Sequence, residues 1–309
     1  MTLGESAYAT RHTRRRLAPL PDGWLTINES NDRLIRLSGS GAAEVVADFG
    51  SWEIDPADET AAHGRERGVG LHTSADGRFA AVTDDYGWHA SVVDLAAGRE
   101  VFTLRRGEGW DSWTVPFGVA FLPGNSLIAQ TDWNRIDAFN LPSGELLTGD
   151  EPGSDGERRD RSFEYLGALH ASPTGRWLIV DGWFWHPDTW DVPVAWLDED
   201  TVAVQWLNSH STAATFTDLF HAPTGEQTKR LYGLQGPMWG HQGKLYVSGS
   251  AGLETWHPES GRIEGLVAGI RPTAHNPATG GFAELVDGTL RTFHPASGVV
   301  STPIAHYGA

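Results

Sequence analysis

The chain has no cysteine. That excludes disulfides, thiolate metal sites and a cysteine nucleophile together, and it fits any redox compartment. Basic residues are scarce: 23 Lys plus Arg stand against 40 Asp plus Glu, for a formal net charge of -17. Such a surface repels phosphate backbones and anionic lipid headgroups, so neither nucleic acid nor a membrane is expected as a partner. Long apolar runs are missing as well, and nothing approaches the ~18 residues that a spanning helix needs. Arg11, Arg14, Arg15 and Arg16 are followed only by Leu17-Ala18-Pro19-Leu20-Pro21. That stretch is too short, and too broken by proline, for the apolar core of a signal peptide. Residues 1–20 therefore read as a basic tail, residues 21–309 as a single domain, and the compartment as cytoplasmic. No Gly-x-Ser-x-Gly elbow and no phosphate-binding glycine loop occurs either, which removes two common routes to catalysis.

What the chain does have is punctuation and repetition. Its 37 Gly and 17 Pro are what many short strands need at their turns. A six-residue phrase recurs: an apolar or aromatic residue, then Asp, Asn or His, then a short turn closing on Gly. It reads Val93-Asp94-Leu95-Ala96-Ala97-Gly98 and Phe139-Asn140-Leu141-Pro142-Ser143-Gly144. It returns as Phe220-His221-Ala222-Pro223-Thr224-Gly225, Trp256-His257-Pro258-Glu259-Ser260-Gly261 and Phe293-His294-Pro295-Ala296-Ser297-Gly298. A copy without the Gly runs from Trp185 to Trp190, and a faint one ends near Gly41. A second phrase precedes it. Leu71-His72-Thr73-Ser74-Ala75-Asp76-Gly77-Arg78 matches Leu169-His170-Ala171-Ser172-Pro173-Thr174-Gly175-Arg176, with weaker copies around Phe121 and His275. Each copy leads into an apolar or β-branched run. A period near ~40 residues with strand-like flanks is the signature of a β-propeller, one copy per blade.

On these phrases the chain resembles the WD40-like and YVTN-like propeller superfamily over nearly its whole length. The Ser-x-x-Gly-Arg turn after the first strand of a unit carries the likeness. The Gly-His and Trp-Asp pair of WD40 blades proper is absent from the expected places. The resemblance implies the architecture and leaves activity open, because this fold hosts many. We expect an all-β, seven-bladed propeller of four-stranded antiparallel blades. The units fall at about 21–49, 68–106, 115–149, 165–192, 193–233, 237–268 and 270–305. The fourth is cramped between Arg176 and His186, so six blades is the alternative. The ring is expected to close by the N-terminal segment pairing beside the last blade.

Strand parity then sorts the loops. With strands A to D numbered outward from the ring centre, A–B and C–D turns lie on one face, and B–C hairpins and D–A connections on the other. Both repeated phrases are A–B or C–D turns, so that face should be regular and tight. The long D–A connections, at about 50–67, 105–114 and 148–164, lie on the other face, where binding sites are usually built. The B–C hairpins of units two to four add Asp84, Asp85, Trp88 and His89, then Asp132 and Trp133, then Asp181, Trp183 and Trp185. Trp110 and Trp113 come from the connection after unit two. Carboxylates interleaved with indoles suit a cation, a hydroxylated ligand or a planar apolar group. The WD40 likeness implies another use for Asp84, Asp132 and Asp181: holding their own hairpins. Most of the remaining tryptophans read as packing between blades.

For acid–base chemistry the candidates are His63 and His89 on irregular loops, with Asp85 as a carboxylate partner. His72 and His170 occupy equivalent places on inner strands, where two imidazoles facing one channel can share a proton or a metal. His186, His221, His257 and His294 read as turn formers, equivalent to Asp94 and Asn140. No ligand spacing accompanies any His, so no metal and no cofactor is assigned. The expected function is non-catalytic binding of a peptide, protein or small molecule on the loop-rich face. The alternative is a metal-independent lyase, isomerase or hydrolase with its site at the channel mouth.

Overall fold

The computed structural model describes residues 16–39, 42–49, 60–61, 65–66, 68–106, 115–132, 135–148, 165–183, 193–206, 216–286 and 288–301. Among them the secondary structure is strand and turn, with no α-helix. No helix there is long and apolar enough to cross a membrane. The strands form a β-propeller of small antiparallel sheets. Units one, two, five, six and seven are four-stranded meanders, with their strands paired in chain order. Unit three has three strands, Val119–Leu122, Ser126–Asp132 and Arg135–Asn140, and a single Phe139–Leu146 bridge where a fourth would lie.

Unit four is where the expected count gives way. It contributes a two-stranded hairpin, Tyr165–Ala171 with Leu178–Trp183, and its second half lies outside the described residues. The described sheets of three or four strands therefore number six, as in the alternative count. The hairpin is built into the ring. Its inner strand packs beside Val119–Leu122, with Leu169 in one cluster with Ala120 and Ile128. On its other side Trp196 Nε1 donates to His170 O at 3.2 Å, and Ser172 Oγ donates to Glu199 Oε1 at 2.7 Å.

The two-residue period of a strand explains how the units stack. Strand Phe79–Asp85 of unit two is buried along its full length. Ala80 and Val82 point into a cluster with Leu25 and Leu34 of unit one. Phe79 and Ala81 point the other way, to Phe117 and Leu127 of unit three. A pleated strand between two neighbours thus reads as a continuous apolar run, because both of its faces are covered. Each such Val, Leu or Phe contributes roughly 1.5–3 kcal/mol. The hydrophobic core is accordingly a series of inter-unit clusters. Trp24 and Trp256 are buried in two of them, as packing residues. Register shifts between third and outer strands recur in units one, two, five and six, and such bulges bend the outer edge of each blade.

The repeated Gly has a single cause. Gly98, Gly144, Gly225, Gly261 and Gly298 all lie at φ between 65 and 69. Each donates its N–H to the carbonyl of the Asp, Asn or His four residues back, at 2.8–2.9 Å. Only glycine adopts that left-handed conformation without steric cost.

The ring closes differently from expectation. Leu17–Leu20 is the inner strand of unit one, so the first sheet begins inside the segment read as tail. It lies beside the inner strand of unit seven, Ala274–Asn276, but its backbone ladder pairs only with the next strand of its own unit. The outer strand of unit seven, Val299–Val300, likewise comes from its own unit. Side chains hold the seam: Leu17, Trp24, Leu37, Ala274, Ala283 and Leu290 form one cluster. Asn276 Nδ2 donates to Leu20 O at 2.7 Å and to Gly23 O at 3.3 Å.

Candidate functional site

The expected aromatic and acidic sector is described only in part. His63, Trp110, Trp113, Trp133 and Trp185 lie outside the described residues. Asp181 and Trp183 lie on strand Leu178–Trp183, with side chains outside the description. Asp132 ends its strand and is exposed. The hairpin of unit two is fully described. Its Asp84 and Asp85 are 3% and 2% exposed, so neither carboxylate is on the rim. Asp85 accepts from Thr83 Oγ1 at 3.0 Å and lies over Gly70 of the inner strand, where a Cβ would collide with it. Asp84 packs against Gly87 and its carbonyl accepts the Gly87 N–H at 3.0 Å. Between them Tyr86 turns the chain at φ 65 with its side chain buried. These carboxylates scaffold the hairpin. What the hairpin displays is Trp88, half-buried, and His89, exposed, with ring centroids 6.0 Å apart at 62°.

Arg106 explains why this hairpin is rigid. It is 1% exposed, just beyond outer strand Arg99–Arg105. Its Nε donates to Gly87 O at 2.7 Å, Nη2 to Val115 O at 2.9 Å, and Nη1 to Pro116 O and Gln130 Oε1 at 3.1 Å each. Its backbone N–H donates to Trp88 O, and its guanidinium lies 5.1 Å from the Phe117 ring centroid. One cation therefore ties the hairpin of unit two to the entry of unit three. No spacing in the sequence announces it.

His72 and His170 are half-buried on inner strands that flank Val119–Leu122, so another strand stands between them. Among the described residues no group of three or more His, Asp or Glu is arranged to hold a metal. The turn histidines divide. His221 Nδ1 meets Thr224 Oγ1 at 2.9 Å, and His257 Nδ1 accepts the Ser260 N–H at 3.3 Å, as turn formers should. Asp94 does the same work: burial pushes its carboxyl up, but the Ala97 and Ala96 amides and Arg78 outweigh this and hold it below the usual range. His294 instead lays its ring against Gly281.

Two clefts accompany these elements. The first, about 440 Å³, opens on the loop-rich face at the seam of units seven and one. Arg16 and Leu17 line it from unit one, and Arg271, Glu284, Leu285 and Arg291 from unit seven. The second, about 370 Å³, opens on the tight-turn face between units six and seven. His241, Lys244, Tyr246, Glu264 and His294 line it. Lys244 Nζ donates to Glu264 Oε2 at 2.8 Å, which holds the Glu264 carboxyl below its usual range and the Lys244 ammonium above. Burial pushes the His241 imidazole down and the Tyr246 phenol up. Titratable groups thus gather on the face expected to be only regular.

Comparison with known proteins identifies the architecture. No family model and no characterised protein matches the sequence. Solved structures do. The chain is similar to Kuenenia stuttgartiensis hydrazine synthase at 14% identity and TM-score 0.57, over 99% of this chain and 100% of that one. It is similar to a chain of the mitotic checkpoint complex at 13% and 0.58, over 98% and 90%. It is similar to the computationally designed Ika8 protein at 13% and 0.50, over 96% and 92%. The likeness is in the fold alone. A β-propeller is consistent with a binding module and names no ligand.

Proposed function

We propose that the protein is a non-catalytic binding module that holds a peptide, protein or small molecule on the face made by its B–C hairpins and D–A connections. The observation that carries this reading is the hairpin of unit two. Its buried carboxylates and the Arg106 staple fix the backbone, and the fixed backbone presents the Trp88 and His89 rings outward. An aromatic pair on a rigid support loses little entropy when a ligand stacks on it. Together with the chain's acidity, the pair favours a ligand with positive charge, hydroxyls or a planar apolar group.

The test is a ligand-observed NMR screen of small organic cations, polyols and planar heterocycles against wild-type protein and Trp88→Ala. The reading expects at least one class to bind the wild type and to lose about tenfold or more in affinity on truncation, as stacking contacts do. Ligands that bind both proteins equally would remove the hairpin from the site. Steady turnover of a bound ligand would replace a binding module with an enzyme.

A further inference from the structure

The seam cleft has the opposite charge to the molecule around it. The whole chain carries -17, yet the described lining of this cleft brings three guanidinium groups, from Arg16, Arg271 and Arg291, against one carboxylate, from Glu284. That carboxylate is 3% exposed and already engaged. Its Oε2 accepts the Arg271 backbone N–H at 2.6 Å, and its Oε1 accepts from Arg291 Nη1 at 2.5 Å. Glu284 and Arg291 are register partners on adjacent strands, so the pair is set by the sheet before any ligand arrives.

The arginines keep donors in reserve. Arg291 uses Nη1 for Glu284 and Gly269 O, which leaves Nε and Nη2 without a protein acceptor among the described residues. Arg271 anchors Nη2 on Ser250 O at 2.5 Å, which leaves Nε and Nη1. The Nε/Nη2 edge of Arg291 is therefore available for the two-point hydrogen bonding that carboxylates and phosphates accept, and Arg271 adds single donors at Nε and Nη1. Leu17 and Leu285 supply an apolar wall beside these donors.

We propose that this cleft binds a small organic anion, with a carboxylate or phosphate monoester placed on Arg271 and Arg291 and an apolar group against Leu17 and Leu285. The site spans the first and last units, whose inner strands share no hydrogen-bonded ladder. Its ligand binds only the closed ring and so clasps the seam, raising thermal stability by mass action. The inference is independent of the unit-two hairpin, because it uses none of its residues.

The experiment titrates the full chain with phenyl phosphate, benzoate and inorganic phosphate at constant ionic strength, by calorimetry and by thermal unfolding. Phenyl phosphate or benzoate should bind saturably below about 10 mM, tighter than inorganic phosphate, and raise Tm. Binding by both organic probes assigns the site to either anion; binding by one assigns it to that one. Arg271→Ala is the decisive variant, since Glu284 uses the backbone N–H of that residue and keeps it. It should weaken binding by about tenfold or more with little change in the unliganded Tm, and Arg271→Glu should abolish binding. Arg291→Lys should also weaken it, because an ammonium cannot make the two-point contact. No saturable binding of either organic probe, or affinity unchanged in both Arg271 variants, would overturn the proposal.

Discussion

At the seam between units two and three, Arg106 is buried and spends its N–H groups on Gly87 O, Val115 O, Pro116 O and Gln130 Oε1. At the seam between units seven and one, Arg271 is exposed and Arg291 half-buried, and each keeps donors that meet no acceptor among the described residues. The residue type is the same, the position between blades is the same, and the use differs. An arginine whose donors end on backbone carbonyls is a structural clamp, and its loss leaves those carbonyls dry and unpaired. An arginine with unspent donors on the wall of a cleft is an offer to an anion.

The sharpest break in that comparison comes from removing the clamp. Arg106→Ala should cost about 3–5 kcal/mol of stability, since it strands several buried acceptors at once. Denaturant unfolding measures this directly. A loss under about 1 kcal/mol would mean that the clamp is ornamental and that Arg106 belongs with the seam arginines.

A second effect separates arginine from histidine as a seam residue. His275 is 9% exposed, lies between His241 and Phe282 at the seam of units six and seven, and has no partner for Nε2. Burial, and then the charge of neighbouring His241, push its pKa down to about 3. In the unfolded chain the imidazole takes up a proton near pH 6.5. The unfolded state therefore binds more protons between about pH 6.5 and 3, and stability falls as pH falls through that window. The stability lost across the whole window is on the order of 5 kcal/mol, and none of it is lost above the unfolded pKa. His275→Gln should flatten stability against pH between about 4 and 6.5. An unchanged slope would place the acid sensitivity elsewhere. The Arg106 guanidinium keeps its charge across that range.

Smallest of all should be the stability cost of Arg271→Ala, within about 0.5 kcal/mol, as for other exposed residues without buried partners. A loss approaching that of Arg106→Ala would erase the distinction between clamp and cleft.

Much of this fold was legible. The phrase-ending glycines mark left-handed turns that no other residue adopts cheaply, so their spacing reports the units. The apolar run Phe79 to Val82 reports a strand covered on both sides. Other features were hidden for physical reasons. The proline-broken stretch after Arg16 conceals a strand, because an inner strand is a sheet edge, where the missing N–H of Pro19 costs nothing. Unit four kept its A–B phrase, Ser172 to Arg176, and its described sheet stops at two strands. Asp84 holds its own hairpin, as the WD40 likeness implies, whereas nothing in the sequence signals that Asp85 is buried over Gly70 of the inner strand. Composition concealed the seam cleft, because a net charge of -17 averages over a local excess of arginine. Its lining joins Arg16 to Arg291, which only ring closure brings together. The one available signal was the hairpin register that sets Glu284 opposite Arg291.

The most direct test of the account is a two-sided substitution set read by ligand binding, with folding checked by circular dichroism. Trp88→Ala and His89→Ala on the loop-rich face should abolish or strongly weaken binding of the ligand found in the screen while the fold persists. Changes at Ala97, Ser143, Thr224 and Ser260, in the C–D turns of the opposite face, should leave binding intact. Loss of binding from the second set alone would contradict the assignment of the binding face.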